Sequence, residues 1–101
     1  MVSRFVHLPL SPGKTQVFLE AYRDFAPKIL HQSGCMGLEL YKNQDVQEGF
    51  VLLTRWATMA EMEAYRHSDA FLEAWGKIRL LLGGRADSYT LRMYMRGTDG
   101  E

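Results

Sequence analysis

The amino-acid sequence predicts an α+β domain in which one antiparallel sheet of four strands packs against helices. Four segments are rich in β-branched and apolar residues, segments with helical spacing separate them, and glycine or proline marks most boundaries. The 101 residues, 47% of them hydrophobic, suit one domain with a real core. We assign residues 1–96 to this domain and residues 97–101 to a frayed tail.

The first strand and the first helix are separated by a clear turn signal. Residues 2–10 mix β-branched and apolar residues, and Ser11-Pro12-Gly13 follows them. From Lys14 onward the spacing becomes helical, with Phe18, Tyr22, Phe25 and Ile29 on one stripe. Pro27 should kink this helix or split its last turn, because proline lacks an amide donor. Gly34 is predicted to end the helix as its C-cap.

The middle of the chain predicts a hairpin followed by two helices. Residues 36–43 and 50–56 should pair as antiparallel strands. Thr58 and Glu61 match a capping box, and Ser68 followed by Asp69 predicts a new helix start. The third helix carries a further apolar stripe and ends at Gly83-Gly84; the stripe consists of Phe71, Trp75, Ile78 and Leu82.

The last strand is predicted over residues 86–95, with both faces substantially covered. The resulting order, β-α-β-β-α-α-β, is the ferredoxin-like βαββαβ arrangement with an additional helix. Helices one and three should cover one face of the sheet. The other face would expose a large apolar patch, so we expect it to be buried in a homodimer.

Charge and cysteine content exclude several classes of protein. Twelve basic and twelve acidic residues are balanced and scattered, so a nucleic-acid partner is not expected. The apolar runs are too short to span a membrane, and the N-terminus is typical of a first strand rather than a signal peptide. The single cysteine, Cys35, predicts a small buried hydrophobe in a reducing cytoplasm. His7, His31 and His67 are too dispersed to predict a metal site.

Three segments carry a resemblance to a known family. Pro12-Gly13-Lys14 with Phe18 is similar to an opening "PGK…F" segment, and Ser33 to Gly37 is similar to a "PGCLG" turn. Residues 55–71 (RWATMAEMEAYRHSDAF) resemble a "W-x-S-x-E-A-L-x-x-H-x-x-S-x-x-F" stretch. These are motifs of the antibiotic biosynthesis monooxygenase family, within the dimeric α+β barrel superfamily. The resemblance covers residues 2 to about 95.

The resemblance implies a homodimeric barrel with a ligand pocket between sheet and helices in each subunit. It further implies a cofactor-independent monooxygenase acting on a small aromatic, quinol or polyketide-like molecule. A non-catalytic small-ligand-binding or stress-response protein is one alternative, and a haem-binding, haem-degrading monooxygenase is another. The haem-degrading members use an asparagine, a tryptophan and a histidine where this chain has Val6, Tyr65 and Trp75, so the resemblance does not support haem ligation through that histidine.

Seven residues are candidates for the site. Tyr65, at the position of a family histidine, and His67, two residues further on, are candidates for the acid-base chemistry of oxygenation. Flat aromatic walls suit an aromatic ligand, and Arg92 could hold an anion. Each also has a structural interpretation: core packing for the aromatic residues, a helix cap or solvent exposure for His67, and a salt bridge for Arg92. The aromatic candidates are Trp56, Phe71, Trp75 and Tyr22.

Overall fold

The structure, a computed structural model, describes residues 1–97 and confirms the predicted α+β class and element order. A short 3₁₀ turn, Arg79–Leu81, follows the third helix. The part of the predicted tail at 98–101 lies outside the described residues. The strands and helices are β1 (Val2–Pro9), α1 (Thr15–Leu30), β2 (Cys35–Lys42), β3 (Gly49–Trp56), α2 (Met59–Arg66), α3 (Asp69–Ile78) and β4 (Asp87–Arg92).

The four strands form one antiparallel sheet in the order β2-β3-β1-β4. The predicted hairpin of β2 and β3 is present, with an irregularity between Cys35 and Gly37. β1 is a central strand: Val2 lies opposite Trp56 of β3 on one side and opposite Arg92 of β4 on the other. Side chains alternate between the two sides of a strand, so β1 contributes residues to both faces of the sheet.

The hydrophobic core lies between the helices and one face of the sheet. Residues of even number on β1 and β3 point into it, as alternation requires. Burial of these apolar side chains is the main stabilising contribution to such a fold. The largest fully buried side chains come from both layers: Trp56, Phe18, Phe25, Leu8, Ile29 and Met62.

Both predicted helix caps between β3 and α3 are confirmed. The Thr58 hydroxyl accepts a hydrogen bond from the Glu61 amide at 3.1 Å and donates to the Glu61 carboxylate at 3.0 Å. Ser68 caps α3 by accepting from the Phe71 amide at 3.2 Å. Each cap satisfies an amide that has no partner within its helix.

The last turn of the first helix is not split at Pro27, and the prediction that Gly34 caps this helix is wrong. α1 continues through Pro27 and ends at Leu30, with His31 as its C-cap. Pro27 is tolerated because it stands near the end of the helix, where its ring is exposed and only one intrahelical hydrogen bond is lost. Gly34 does not cap α1; it lies in the turn before β2 at φ +82°, and its carbonyl accepts from the Ala57 amide at 2.8 Å.

The prediction for the last strand is also wrong. β4 spans Asp87–Arg92 rather than residues 86–95, and all six residues are exposed in the single chain, so its faces are not covered. β4 is an edge strand bonded to β1 alone. Tyr89 and Leu91 therefore remain 59% and 53% exposed. None of the helices in residues 1–97 has the length and apolar character needed to cross a bilayer.

Candidate functional site

A cleft opens on the helical side of the sheet, between β1 and α3. It consists of two adjoining cavities of about 30 and 90 Å³ that share Arg4, Val6, Phe71 and Trp75 in their walls. The smaller cavity is closed by the core, and the larger one extends toward β4. Residues that line only one of them are Leu8, Leu52, Thr54, Tyr65 and Ile78 for the smaller cavity, and Ala86 and Ser88 for the larger.

The junction of α2 and α3 positions the aromatic side chains of the cleft. Ser68 donates a hydrogen bond to the Tyr65 carbonyl at 2.6 Å while it caps α3 through Phe71. This double contact fixes the end of α2 against the start of α3. The rings of Tyr65 and Phe71 then meet edge to face, with centroids 5.4 Å apart and planes at 89°.

Trp56 supports the cleft from behind. Its indole is fully buried, lies outside both cavities, and stacks on the Tyr65 ring with centroids 4.8 Å apart. Its Nε1 donates to the Thr54 hydroxyl at 2.8 Å, so its polar atom is satisfied within the protein. Trp56 is therefore a core residue, as its structural interpretation predicts. It orients the Tyr65 ring and does not line the cleft. Phe71 and Trp75 line both cavities.

Tyr65 lines the smaller cavity. Its side chain is 6% exposed, and burial raises its pKa to about 12, partly opposed by the Arg4 charge. The phenol is therefore protonated at neutral pH. No group within residues 1–97 forms a hydrogen bond with its hydroxyl. A neutral, buried O–H without a partner is suited to donate a hydrogen bond to a bound ligand.

Arg4 is a cleft residue that we did not predict from the sequence. It lies half-buried on β1 and shares both cavities with the aromatic residues. Burial, followed by the nearby Arg66 charge, lowers the pKa of Arg4, although a guanidinium remains charged at neutral pH. A signal was present in the sequence: Arg4 alternates with Val2, Val6 and Leu8, which are all apolar.

Three predicted site residues do not reach the cleft. His67 is exposed at the end of α2, where its amide contacts the Ala64 carbonyl. Tyr22 packs within α1, with its ring centroid 5.6 Å from that of Phe25. Arg92 is exposed at the end of β4, opposite Val2. Neither cavity is lined by any of the three.

His31 and Cys35 lie outside the cleft and make contacts that favour structural roles. His31 contacts the Pro27 carbonyl through Nδ1 at 2.7 Å, at the C-terminus of α1 as predicted. Burial raises the pKa of the Cys35 thiol, which disfavours a reactive thiolate. Residues 1–97 contain no group of three histidine, cysteine or acidic side chains placed to hold a metal ion.

The opposite side of the sheet, which we call the open face, carries its own apolar surface. A shallow groove of about 410 Å³ crosses it, and His7 in its wall contacts the Asn43 amide at 3.1 Å. No helix of residues 1–97 covers this side. The open face consists of Phe5, His7, Val51, Leu53, Tyr89 and Leu91.

Comparison with known proteins identifies the family of this chain and many structures with a similar fold. The antibiotic biosynthesis monooxygenase family model matches residues 1–76. The fold is similar to a crystal structure of an antibiotic biosynthesis monooxygenase, with TM-score 0.84, 16% identity, and coverage of 94% of this chain and 100% of the other. A conserved protein from Methanosarcina mazei Go1 gives TM-score 0.84 at 20% identity, covering 93% and 94% of the two chains.

A third similar structure is Rv0793 from Mycobacterium tuberculosis, with TM-score 0.82, 16% identity, and coverage of 96% of this chain and 98% of the other. At these identities the likeness establishes the fold and not the chemistry. No individually curated protein sequence matches the chain.

Proposed function

Because the chain belongs to the antibiotic biosynthesis monooxygenase family, we propose that it is a monooxygenase that oxidises a small phenol or quinol bound in the cleft. The observation that carries the proposal is the neutral, unpartnered Tyr65 hydroxyl in an aromatic-walled cavity. Phenolic substrates develop negative charge on oxygen when they react, and a preorganised donor stabilises that charge. The ring of such a substrate would lie against Phe71 and Trp75.

The proposed reaction draws its electrons from the substrate, so it requires neither a metal nor a flavin. A deprotonated quinol passes one electron to O₂, and the resulting radicals combine to form a carbon–oxygen bond. The hydroperoxide then loses water. Quinol and O₂ thus give a hydroxyquinone and water, with one oxygen atom of O₂ retained in the product. The protein's contributions are binding, exclusion of water and stabilisation of the substrate anion.

Tyr65 acts in this scheme as a hydrogen-bond donor and not as the base. A phenol with a pKa near 12 is a poor proton acceptor at neutral pH. His67, the other predicted acid-base residue, is exposed and outside the cleft. The substrate's own acidity therefore accounts for its deprotonation, with the proton passing to water.

We also propose that the protein is a homodimer in which a second copy covers the open face. The half-buried Phe5 and His7 and the exposed Tyr89 and Leu91 form one apolar surface with polar neighbours at its edge. Such a surface is typical of a protein interface, and a second open face is its self-complementary partner. A cytoplasmic location agrees with the single free thiol, Cys35.

Oxygen uptake and isotope incorporation test the proposed activity. Chelator-treated protein is supplied with single-ring hydroquinones and phenols, and O₂ consumption is recorded against a protein-free control for spontaneous oxidation. With ¹⁸O₂, we expect one labelled oxygen atom in the product and one in water. Saturable binding of these compounds with O₂ uptake no faster than the control would refute the monooxygenase and favour the non-catalytic binding protein.

Titration with haemin tests the haem-binding alternative, which the structure does not favour. The resemblance places Trp75 where the haem-degrading members have their histidine, and the two cavities are far smaller than the roughly 300 Å³ typical of pockets for drug-sized ligands. Titration with haemin should therefore leave its Soret band unshifted. A shifted band of unit stoichiometry would favour haem chemistry.

A further inference from the structure

Arg4 is a half-buried cation whose neighbours along β1 and across the cleft are apolar. It stands on the central strand β1, and its neighbours on the same side of that strand, Val2 and Val6, are apolar. Across the cleft it faces Phe71 and Trp75. A partly desolvated guanidinium is costly unless an anion or several acceptors compensate for the lost water.

No carboxylate of residues 1–97 compensates Arg4. The four ion pairs in this part of the chain involve other cations: Lys28 with Glu73, Arg55 with Glu39, Arg66 with Glu63, and Lys77 with Asp24. Glu63 influences Arg4 electrostatically, but it pairs with Arg66 at 3.3 Å. The guanidinium and its planar set of five donors are thus available to a ligand.

The size of the cleft restricts that ligand to one aromatic ring. The two cavities, of about 30 and 90 Å³, together approach the roughly 150 Å³ that holds benzene in an engineered protein cavity. Their shared walls include two aromatic side chains and Arg4. Tyr65 lines the smaller cavity only, and Ser88 lines the larger cavity only.

From these observations we infer that the cleft selects a hydroxylated single-ring aromatic acid, whose carboxylate pairs with Arg4 and whose ring lies against Phe71 and Trp75. The guanidinium fork matches the two oxygens of a carboxylate, and a phenolic oxygen on the same ring would accept from Tyr65. The inference names the substrate class of the proposed monooxygenase. Only one part of the inference depends on the proposed function, namely that the bound acid is the molecule that is oxidised.

Binding of a matched pair of probes tests the inference without any turnover. The probes are 4-hydroxybenzoate and 4-hydroxybenzamide, which share ring and phenol and differ in the charge of one substituent. Isothermal titration calorimetry under nitrogen gives both dissociation constants. We expect the acid to bind at least roughly ten-fold more tightly than the amide, as a charge-assisted hydrogen-bonded pair implies.

Variants assign the preference to Arg4. Arg4→Gln should abolish the preference for the acid, and Arg4→Lys should restore part of it, because an ammonium keeps the charge but lacks the fork. Arg23→Gln is the matched control, since Arg23 is exposed on α1 and lines neither cavity. It should bind both probes as the wild-type protein does. Far-ultraviolet circular dichroism verifies that each variant is folded.

The possible outcomes separate this inference from the proposed function. Equal affinity for acid and amide, binding of neither, or a preference that survives in Arg4→Gln would each overturn the inference. If Arg4→Lys also loses the preference, a positive charge at position 4 is insufficient and the bidentate geometry of the guanidinium is required. That outcome also supports the inference. Acid-selective binding without O₂ uptake would refute the monooxygenase alone, and O₂ uptake on uncharged quinols without acid preference would refute this inference alone.

Discussion

Replacing Tyr65 by phenylalanine separates what its ring does from what its hydroxyl does. The ring is held between Trp56, stacked at 4.8 Å, and Phe71, edge-on at 5.4 Å. Both contacts survive in Tyr65→Phe because the ring is unchanged. The hydroxyl, by contrast, is buried and has no hydrogen-bond partner within residues 1–97. We therefore expect the variant to fold normally and to differ from the wild type only in the effects of the O–H group on stability and on oxidation of the substrate.

The structure gives the sign and size of the effect on stability. A buried polar group without a partner costs about 1–3 kcal/mol, and removal of the phenolic oxygen leaves only a small void. At about pH 8, where the phenol is protonated, Tyr65→Phe should have a free energy of unfolding equal to that of the wild type or about 1 kcal/mol larger. Its O₂ uptake on quinols should fall by roughly 100-fold, the effect of removing one donor to a developing oxyanion.

A second measurement uses the titration of Tyr65. Its pKa lies at about 12 in the folded protein and near the ordinary value of 10.0 in the unfolded chain. Because the pKa is raised by folding, the titration of Tyr65 leaves the free energy of unfolding unchanged below about pH 10 and lowers it as the pH rises to about 12. The shift of two units corresponds to about 3 kcal/mol in full. At about pH 11 the wild type should therefore have lost more stability than Tyr65→Phe.

Urea denaturation followed by tryptophan fluorescence provides both numbers, at about pH 8 and about pH 11. The reasoning is refuted if Tyr65→Phe is destabilised by more than about 1 kcal/mol at the lower pH, because the hydroxyl would then have a structural partner. It is equally refuted if the two proteins lose the same stability between the two pH values. An unchanged oxidation rate in a folded variant would remove Tyr65 from the proposed mechanism.

Three further perturbations have equally direct outcomes. Thr54→Val leaves the buried Trp56 N–H without its 2.8 Å acceptor and should cost about 1–3 kcal/mol in urea denaturation, whereas Thr54→Ser keeps the hydroxyl and should cost less. Glu48→Gln should lower the Tm near neutral pH, since hydrogen bonds from backbone amides at the start of α1 lower the pKa of the Glu48 carboxyl. That advantage exists above the unfolded-state pKa of about 4.5 and is lost as the pH falls through the lower folded-state pKa, so the difference in Tm should close in acid. Leu91→Lys should weaken the proposed dimer by roughly ten-fold or more in sedimentation equilibrium, while Leu72→Lys, on a 62% exposed site of α3, should leave it unchanged.

Periodicity and capping chemistry were sufficient to predict most of the fold. The hairpin and both caps, at Thr58 and Ser68, follow from local signals that the tertiary structure retains. The errors occur where position within the whole molecule decides. Pro27 is tolerated because it falls in the last turn of α1, and β4 is shorter and more exposed than predicted because it lies at the edge of the sheet.

The candidate site was harder to predict, because an aromatic residue on a helix has the same sequence pattern whether it packs in the core or contacts a ligand. Phe71 and Trp75 reach the cleft, but Tyr22 packs against the core beside Phe25. The spacing that places these residues on apolar stripes cannot distinguish the two. Arg4 was overlooked, although its place in the alternation of β1 already assigned it to the buried side. A lone charge in an apolar register is thus the sequence signal that would have found the cleft.

The central position of β1 has a consequence for how the protein is made. β1 is translated before the other three strands, yet Val2 pairs with Trp56 and with Arg92, which emerge from the ribosome much later. Contacts so distant along the chain impose a large loop-closure entropy and slow the folding of the nascent chain. Until β3 arrives, Phe5, Val6 and Leu8 have no sheet to join, so the growing polypeptide depends on completion of the distant strands to escape aggregation.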